Sequence, residues 1–268
     1  MHFDTIPIWA IFAATFLVVM AAIEAGYRLG RAAHRRSEEV KESPVSAIAG
    51  AVLGLAAFML AFTFGIVWEL RGTRKELVRQ EAVAIRAAWQ RSDFLPEGDR
   101  AGATALLRQY VDLRVAFAEA GRIEPSRVKR FLSETQRLDD RLWNMAVANA
   151  RKDMNSDVAA LYIESLNEMS GIHATRVALG IQERLPSEIW IVLYGVTALG
   201  MMAVGYQTGI AASKRSMGRP NLAVSFALVF ALIASLDRPD SGILSVSQRP
   251  LADLRDAMAA AAGRVPGG

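Results

Sequence analysis

Four uncharged or nearly uncharged apolar blocks alternate with strongly charged sequence, and this alternation restricts what the chain can fold into more than any other feature. The blocks cover residues 7–29, 45–68, 189–210 and 222–236. Glu24 is the only acid in the first block, and the second and third carry no charge at all. A bilayer-spanning helix takes about 20 predominantly apolar residues. The first three blocks meet that length directly. The fourth holds 15 residues, and Pro220, Asn221 and Asp237 can carry it to the interfaces; a buried core helix is the alternative for this block. The first block has Asp4 and no Lys or Arg ahead of it, and its basic residues follow it. It therefore reads as a retained membrane helix rather than a cleaved signal.

Between the second and third blocks lie 116 residues, 70–185, with 19 Lys+Arg and 16 Asp+Glu. Apolar residues recur there at helical spacing. Leu77, Val78, Ala82, Ile85, Ala88 and Trp89 form one stripe, which Leu95-Pro96-Glu97-Gly98 interrupts. Leu106, Leu107, Tyr110, Val111, Leu113, Val115 and Phe117 form a second, ending near Gly121. Pro125 suits the first turn of a third helix, with Val128, Phe131, Leu132, Leu138, Leu142 and Met145. Val158, Leu161, Tyr162, Leu166 and Met169 mark a fourth, after a break near Asn155-Ser156. The expected fold is thus an all-α membrane protein, with four transmembrane helices and a helical extramembrane domain inserted between the second and third. The expected divisions are 1–69 for membrane helices 1 and 2, 70–185 for the extramembrane domain, 186–240 for membrane helices 3 and 4, and 241–268 for a tail with a short helix. Between Trp68 and the first insert helix only Gly72 could interrupt, so the second membrane helix is expected to continue into the insert as one long helix; a flexible join at Gly72 is the alternative.

Charge placement bears on orientation. Arg28, Arg31, Arg35, Arg36 and Lys41 follow the first block, and Lys214, Arg215 and Arg219 separate the last two. The positive-inside rule puts both of these loops in the cytoplasm and the insert outside. Arg71, Arg74, Lys75 and Arg79 oppose that assignment, but long domains cross with little regard to charge. The expected location is the inner (plasma) membrane, multi-pass, with the insert outside. The formal net charge of +4 is too modest to indicate nucleic acid.

Candidate chemistry is sparse. There is no cysteine, which excludes disulfides and thiolate chemistry. The histidines are His2, His34 and His173. His173 follows Glu164 and Glu168 by nine and five residues, whereas ligands on one helix face need three or four. It is expected as a helix-surface or capping residue. Arg137 and Arg141 flank Asp139-Asp140, which reads as a solvated mixed-charge face. No phosphate loop, nucleophile elbow or HExxH stretch occurs. No catalytic residue, cofactor or metal is expected, and the chain is not expected to be an enzyme.

The second block offers a different kind of site. Phe58, Phe62 and Ile66 stand at four-residue steps on one helix face. Gly50, Gly54, Ala57, Ala61 and Gly65 supply small residues beside them, which allow helices to approach closely in a bilayer. A ring of such large side chains forms an apolar constriction; ordinary packing or lipid contact is the alternative. Glu69, Arg71 and Arg74 would then stand at its mouth. Glu24 would sit at an interface or line a polar cavity, and Asp237-Arg238 are expected to pair structurally within the membrane part.

Several local patterns together are similar to a known family. They are Ala61-Phe62-Thr63-Phe64-Gly65, Arg71, Arg74-Lys75, Leu77-Val78, Glu81-Ala82, Ala84-Ile85 and Leu95-Pro96, then Tyr110-Val111-Asp112 with Arg114. Ser165-Leu166-Asn167-Glu168-Met169, Arg176 and Arg184-Leu185-Pro186 continue the series. Leu236-Asp237-Arg238-Pro239 with Gly242, Val246-Ser247-Gln248 and Pro250-Leu251 complete it. This set resembles the bestrophin-like family of bacterial membrane proteins and covers most of the chain. The resemblance implies a homo-oligomer, pentameric in bestrophins, that conducts inorganic anions through a neck on the second membrane helix. Phe58, Phe62 and Ile66 match the neck spacing of that family. The insert is short for a bestrophin, and the acidic calcium-clasp cluster of animal members is absent. The reading carried alongside the channel is a non-conducting, membrane-anchored helical sensor or interaction module.

Overall fold

A computed structural model describes residues 6–36, 42–120, 124–211, 218–238 and 246–262. His2, Lys41, Gly121, Lys214, Arg215, Pro239 and Gly242, all named above, lie outside the described residues. The described residues are helical, with no strand among them. In chain order the helices are α1 (Ile8–Arg36), α2 (Glu42–Arg91), α3 (Glu97–Glu119), α4 (Pro125–Ala150), α5 (Asp157–Val177), α6 (Ser187–Ile210), α7 (Gly218–Asp237) and α8 (Arg249–Ala262). A short 3-10 turn, Ser92–Phe94, precedes α3, and a π turn, Ala178–Gln182, extends α5. Four helices are long and apolar enough to cross a membrane: α1, the first part of α2, α6 and α7. α2 runs for 50 residues and is helical through Gly72.

The helix boundaries follow from local chemistry. Pro96 ends the 3-10 turn and precedes α3, whose first turn carries Glu97 and Asp99 toward the positive end of the helix dipole. Pro125 opens α4, where its missing N–H costs nothing. Ser156 caps α5, its hydroxyl accepting from the Ala159 N–H at 3.2 Å.

The chain divides into two compact units. The membrane unit comprises Met1–Arg71 and Arg184–Arg238. In it α1 packs on α6 and α7. The α1–α6 crossing is made by two glycine pairs. A Cβ at Gly26 or Gly30 would collide with the Met202 or Tyr206 carbonyl, and one at Gly205 or Gly209 would collide with the Ile23 or Tyr27 carbonyl. The two helices run parallel with backbone against backbone, the close approach that small residues four apart permit in a bilayer. Val19, Ile23, Met201 and Ala223 form the apolar core beside this crossing. Thr15 donates to the Ile11 carbonyl at 2.8 Å, so the Tyr194 hydroxyl, 2.7 Å away, donates to Thr15. Tyr194 in turn lies against Phe230 of α7, ring centroids 4.4 Å apart. Leu53 of α2 packs on Gly200 of α6.

The second unit comprises Gly72–Glu183 and Pro239–Gly268. Its core joins Val78, Ile85 and Ala88 of α2 to Leu107, Tyr110 and Val111 of α3, Leu142 of α4, and Tyr162, Leu166 and Met169 of α5. Leu251, Leu254 and Met258 of α8 belong to the same core. The C-terminal helix is therefore part of this unit's interior, a role its short Ala-rich sequence does not announce.

Candidate functional site

In the membrane part of α2 the side chains that face the rest of the unit are small or compact. Ala49, Ala56, Leu60, Thr63 and Val67 are buried. The opposite face is large and apolar. Phe58 is 68% exposed, Phe62 65% and Ile66 39%, and the two rings stack with centroids 6.4 Å apart. The three side chains thus form one continuous outward ridge, as their spacing implies. A Cβ added at Gly50, Gly54 or Gly65 would meet no atom within 4 Å, so the small surface beside the ridge is open within the chain. The intrachain close crossing uses the α1 and α6 glycines instead.

Beyond the ridge, Glu69 is exposed and Arg71 half-buried. Arg74 is the more enclosed of the two arginines. It is only 7% exposed, and its Nε and Nη2 donate to the carbonyls of Leu179 at 3.2 Å and Glu183 at 2.8 Å. The helix ends here: the carbonyls of Leu179, in the π turn, and Glu183, just after it, lie at its C-terminal end, and the guanidinium fork satisfies them.

A second polar site lies inside the helical unit. Glu81 of α2 is fully buried. Arg114 of α3 donates from Nη2 to Glu81 Oε2 at 2.8 Å, and the same nitrogen is 2.6 Å from Oε1. Arg176 of α5 donates from Nη1 to Oε2. Its Nη2 donates to Gln248 Oε1 at 3.1 Å, which ties in the segment before α8. His173 completes the cluster, with Nδ1 3.0 Å from Arg114 Nη1 and 3.8 Å from Glu81 Oε1. The Arg114 guanidinium also lies 5.1 Å above the Phe131 ring of α4, and Phe117 stacks on that ring at 3.9 Å.

Burial sets the electrostatics. It lowers the His173 pKa to about 4, with the Arg114 charge adding to the effect and Asp139 opposing it. Burial likewise lowers Arg114, which Tyr110 partly offsets, and lowers Arg176 to about 10. Both arginines keep their charge at neutral pH, and His173 is neutral. The expectation of a surface or capping histidine is corrected: His173 is an interior acceptor whose partners come from other helices. Glu81, Arg114, Arg176 and Gln248 each fall in a motif quoted above, yet nothing in their spacing reveals that they meet.

The membrane-edge charges also have partners. Glu24 pairs with Arg28 at 2.9 Å and with Arg219 of α7 at 3.7 Å. Asp237 accepts from the Leu185 N–H at 3.0 Å, and Arg238 donates to the Ile6 carbonyl at 2.6 Å. Both ends of the fourth membrane helix are thus fixed to the unit by charged groups.

Comparison with known proteins sets these features in a family. A bacterial bestrophin homologue from Klebsiella pneumoniae, solved as a single-substitution variant, shares 16% identity at a TM-score of 0.62, covering 96% of this chain and 99% of that one. A membrane protein solved with a proline-to-alanine substitution shares 14% identity at a TM-score of 0.65, with the same coverage. A further Klebsiella pneumoniae variant gives 16% identity and a TM-score of 0.59. At these identities the likeness establishes the fold alone. No curated protein matches the sequence. The Bestrophin-like domain, however, matches residues 8–251, nearly the whole chain. This protein is a multi-pass membrane protein of the Bestrophin-like family.

Proposed function

We propose that the chain assembles as a homo-oligomeric ring around α2 and conducts anions through a neck of Phe58, Phe62 and Ile66. The observation that carries this reading is the outward apolar ridge of α2, which has no cover within the chain and lies beside the open glycine surface at Gly50, Gly54 and Gly65. In a ring each ridge position becomes an apolar collar. A narrow collar disfavours a continuous water column and raises the barrier to ions. Arg71 at the mouth would concentrate anions, and Glu69 would oppose it. Arg74 stands further along the same helix, its guanidinium held by the carbonyls of Leu179 and Glu183. Five subunits is the stoichiometry the family resemblance implies. The extramembrane domain, taken as 70–185, is assigned to the outside of the plasma membrane on the arginine count of the two short loops.

Reconstituted vesicles test the conduction. Phe58→Ala with Phe62→Ala should widen and wet the constriction and raise chloride flux over wild type. Arg71→Glu should shift selectivity toward cations. An assembled double variant that passes no ions across a range of pH and voltage would leave the ridge as a packing surface and favour the non-conducting sensor. Reporter fusions at residues 130 and 215 test the orientation, and the assigned topology fails if residue 130 reports a cytoplasmic location.

A further inference from the structure

At the end of α1 remote from Trp9, three guanidiniums surround one carboxylate and one aromatic ring. Arg28 Nε donates to Glu24 Oε1 at 2.9 Å, and Arg219 Nη1 lies 3.7 Å from Glu24 Oε2. The Arg219 guanidinium stands 4.2 Å above the Tyr27 ring. Arg31 is 5.9 Å from the same ring, and its Nη1 donates to the Tyr27 hydroxyl at 3.4 Å. Thr208 of α6 accepts from Arg219 Nη2 at 3.3 Å, so the cluster joins α1, α6 and α7. Among the described residues of this cluster, three formal positive charges stand with one negative charge, a surplus of two.

The position of this surplus matters. At a rise of 1.5 Å per residue, Glu24 lies about 22 Å along α1 from Trp9, and Arg31 about 33 Å. The hydrocarbon layer is about 30 Å thick. With the 72%-exposed Trp9 ring at one interface, the guanidiniums reach the opposite headgroup layer, at the depth of lipid phosphates. Arg28 is reachable from there, its side chain being 77% exposed. Its neighbour Leu29 and, nearer the bilayer centre, Leu17 and Val18 are exposed apolar side chains that suit acyl chains. Glu24 and Tyr27 hold the arginine heads in place, so little side-chain freedom is lost when an anion arrives.

We propose that this end of the membrane unit binds the phosphate of an anionic phospholipid. Arg28 and Arg31 are its phosphate ligands, Arg219 supplies the supporting charge, and Glu24 positions Arg28. The apolar side chains directly below the arginines favour a lipid over free phosphate. The proposal depends on the membrane location alone and stands whether or not the chain conducts.

The full chain, purified in detergent and titrated with phosphatidylglycerol or phosphatidylcholine, tests this by native mass spectrometry of the bound lipid. Two surplus cations near the headgroup layer give phosphatidylglycerol a preference of about tenfold or more. Arg28→Gln with Arg31→Gln should abolish the preference, and Arg28→Lys with Arg31→Lys should keep most of it. If the double glutamine variant does not fold, Arg31→Gln alone, at an exposed position, must still weaken the preference. Equal binding of the two lipids by wild type, or an undiminished preference in a folded glutamine variant, overturns the proposal. Displacement of phosphatidylglycerol by millimolar inorganic phosphate would reassign the arginines to a free anion and overturn it equally.

Discussion

Arg114 Nη1 lies 3.0 Å from His173 Nδ1 in the interior of the helical unit. A guanidinium has only donors, so Nδ1 must accept and the ring proton sits on Nε2. Protonating Nδ1 would set two N–H groups against each other and add a third cation beside a single carboxylate. Burial first, and then the Arg114 charge, hold the His173 pKa down to about 4, and the hydrogen bond fixes the neutral tautomer.

This arrangement makes folding pH-dependent. The folded pKa lies below the ordinary histidine value of 6.5, so the unfolded chain binds more protons between the two values. The His173 contribution is intact above pH 6.5, declines as pH falls toward 4, and is constant below that. Each pKa unit corresponds to about 1.4 kcal/mol, so the full effect is about 3 kcal/mol. Thermal melts of wild type and His173→Gln from pH 7.5 to pH 4 should converge as the pH drops. Parallel curves would show that His173 does not titrate in this window.

Among the described residues, Glu81 is the one carboxylate that both Arg114 and Arg176 contact in this cluster. Glu81→Gln leaves two buried guanidiniums without their counter-charge and should cost about 3–5 kcal/mol. Arg176→Ala, which also loses the Gln248 contact, should destabilise the protein and loosen α8. Hydrogen exchange of residues 249–262 alongside thermal unfolding separates the two effects, because faster exchange there is expected most strongly for Arg176→Ala.

The glycine crossing predicts a sharp difference between two glycines of the membrane unit. Gly205→Leu drives a side chain into the Ile23 carbonyl and should cost about 3 kcal/mol or more through overpacking. Gly54→Ala adds a methyl group where the chain is open and should leave monomer folding unchanged or improved by about 1 kcal/mol. Fluorescence-detected size exclusion of the two variants after a heat step reports the contrast.

In α8, Leu254 is 1% exposed. Leu254→Ala should cost about 2–5 kcal/mol. Truncation before Arg249 should do more, stripping Leu251, Leu254 and Met258 from the core together. A truncated chain with an unchanged melting temperature would refute the interior role of this helix.

Much of the helical framework is legible in the sequence because its signals are local. Pro96, Pro125 and Ser156 mark helix starts by their own backbone or hydroxyl chemistry, and the stripes of α2 and α3 expose their period directly. The buried cluster is not legible. Glu81, Arg114, Arg176 and Gln248 come from four segments, and only the three-dimensional packing joins them. The nearest acids on the helix that carries His173 stand at offsets of five and nine, whereas its partners stand on α2 and α3. Small-residue spacing points to Gly50, Gly54 and Gly65, while Gly26, Gly30, Gly205 and Gly209 make the intrachain crossing. Glycine spacing of four is common to both sets, and the partner helix is the missing information. Leu251, Leu254 and Met258 mark an apolar face of α8 by their spacing, but the helices that cover this face are far away in sequence and nothing local names them.

The α1–α6 crossing also apportions motion within the membrane unit. Main chain meets main chain there, with no side chain between that could change rotamer to absorb a displacement. These two helices therefore move as one slab, and Tyr194 and Phe230 carry α7 with them. α2 meets the unit through side chains, Ala49, Ala56, Leu60, Thr63 and Val67 with Leu53 against Gly200, and side-chain contacts can re-pack where main-chain contacts cannot. A roll of α2 turns the bearing of Phe58 and Phe62 by the same angle, so a small local rotation is geared directly into what the two exposed rings face.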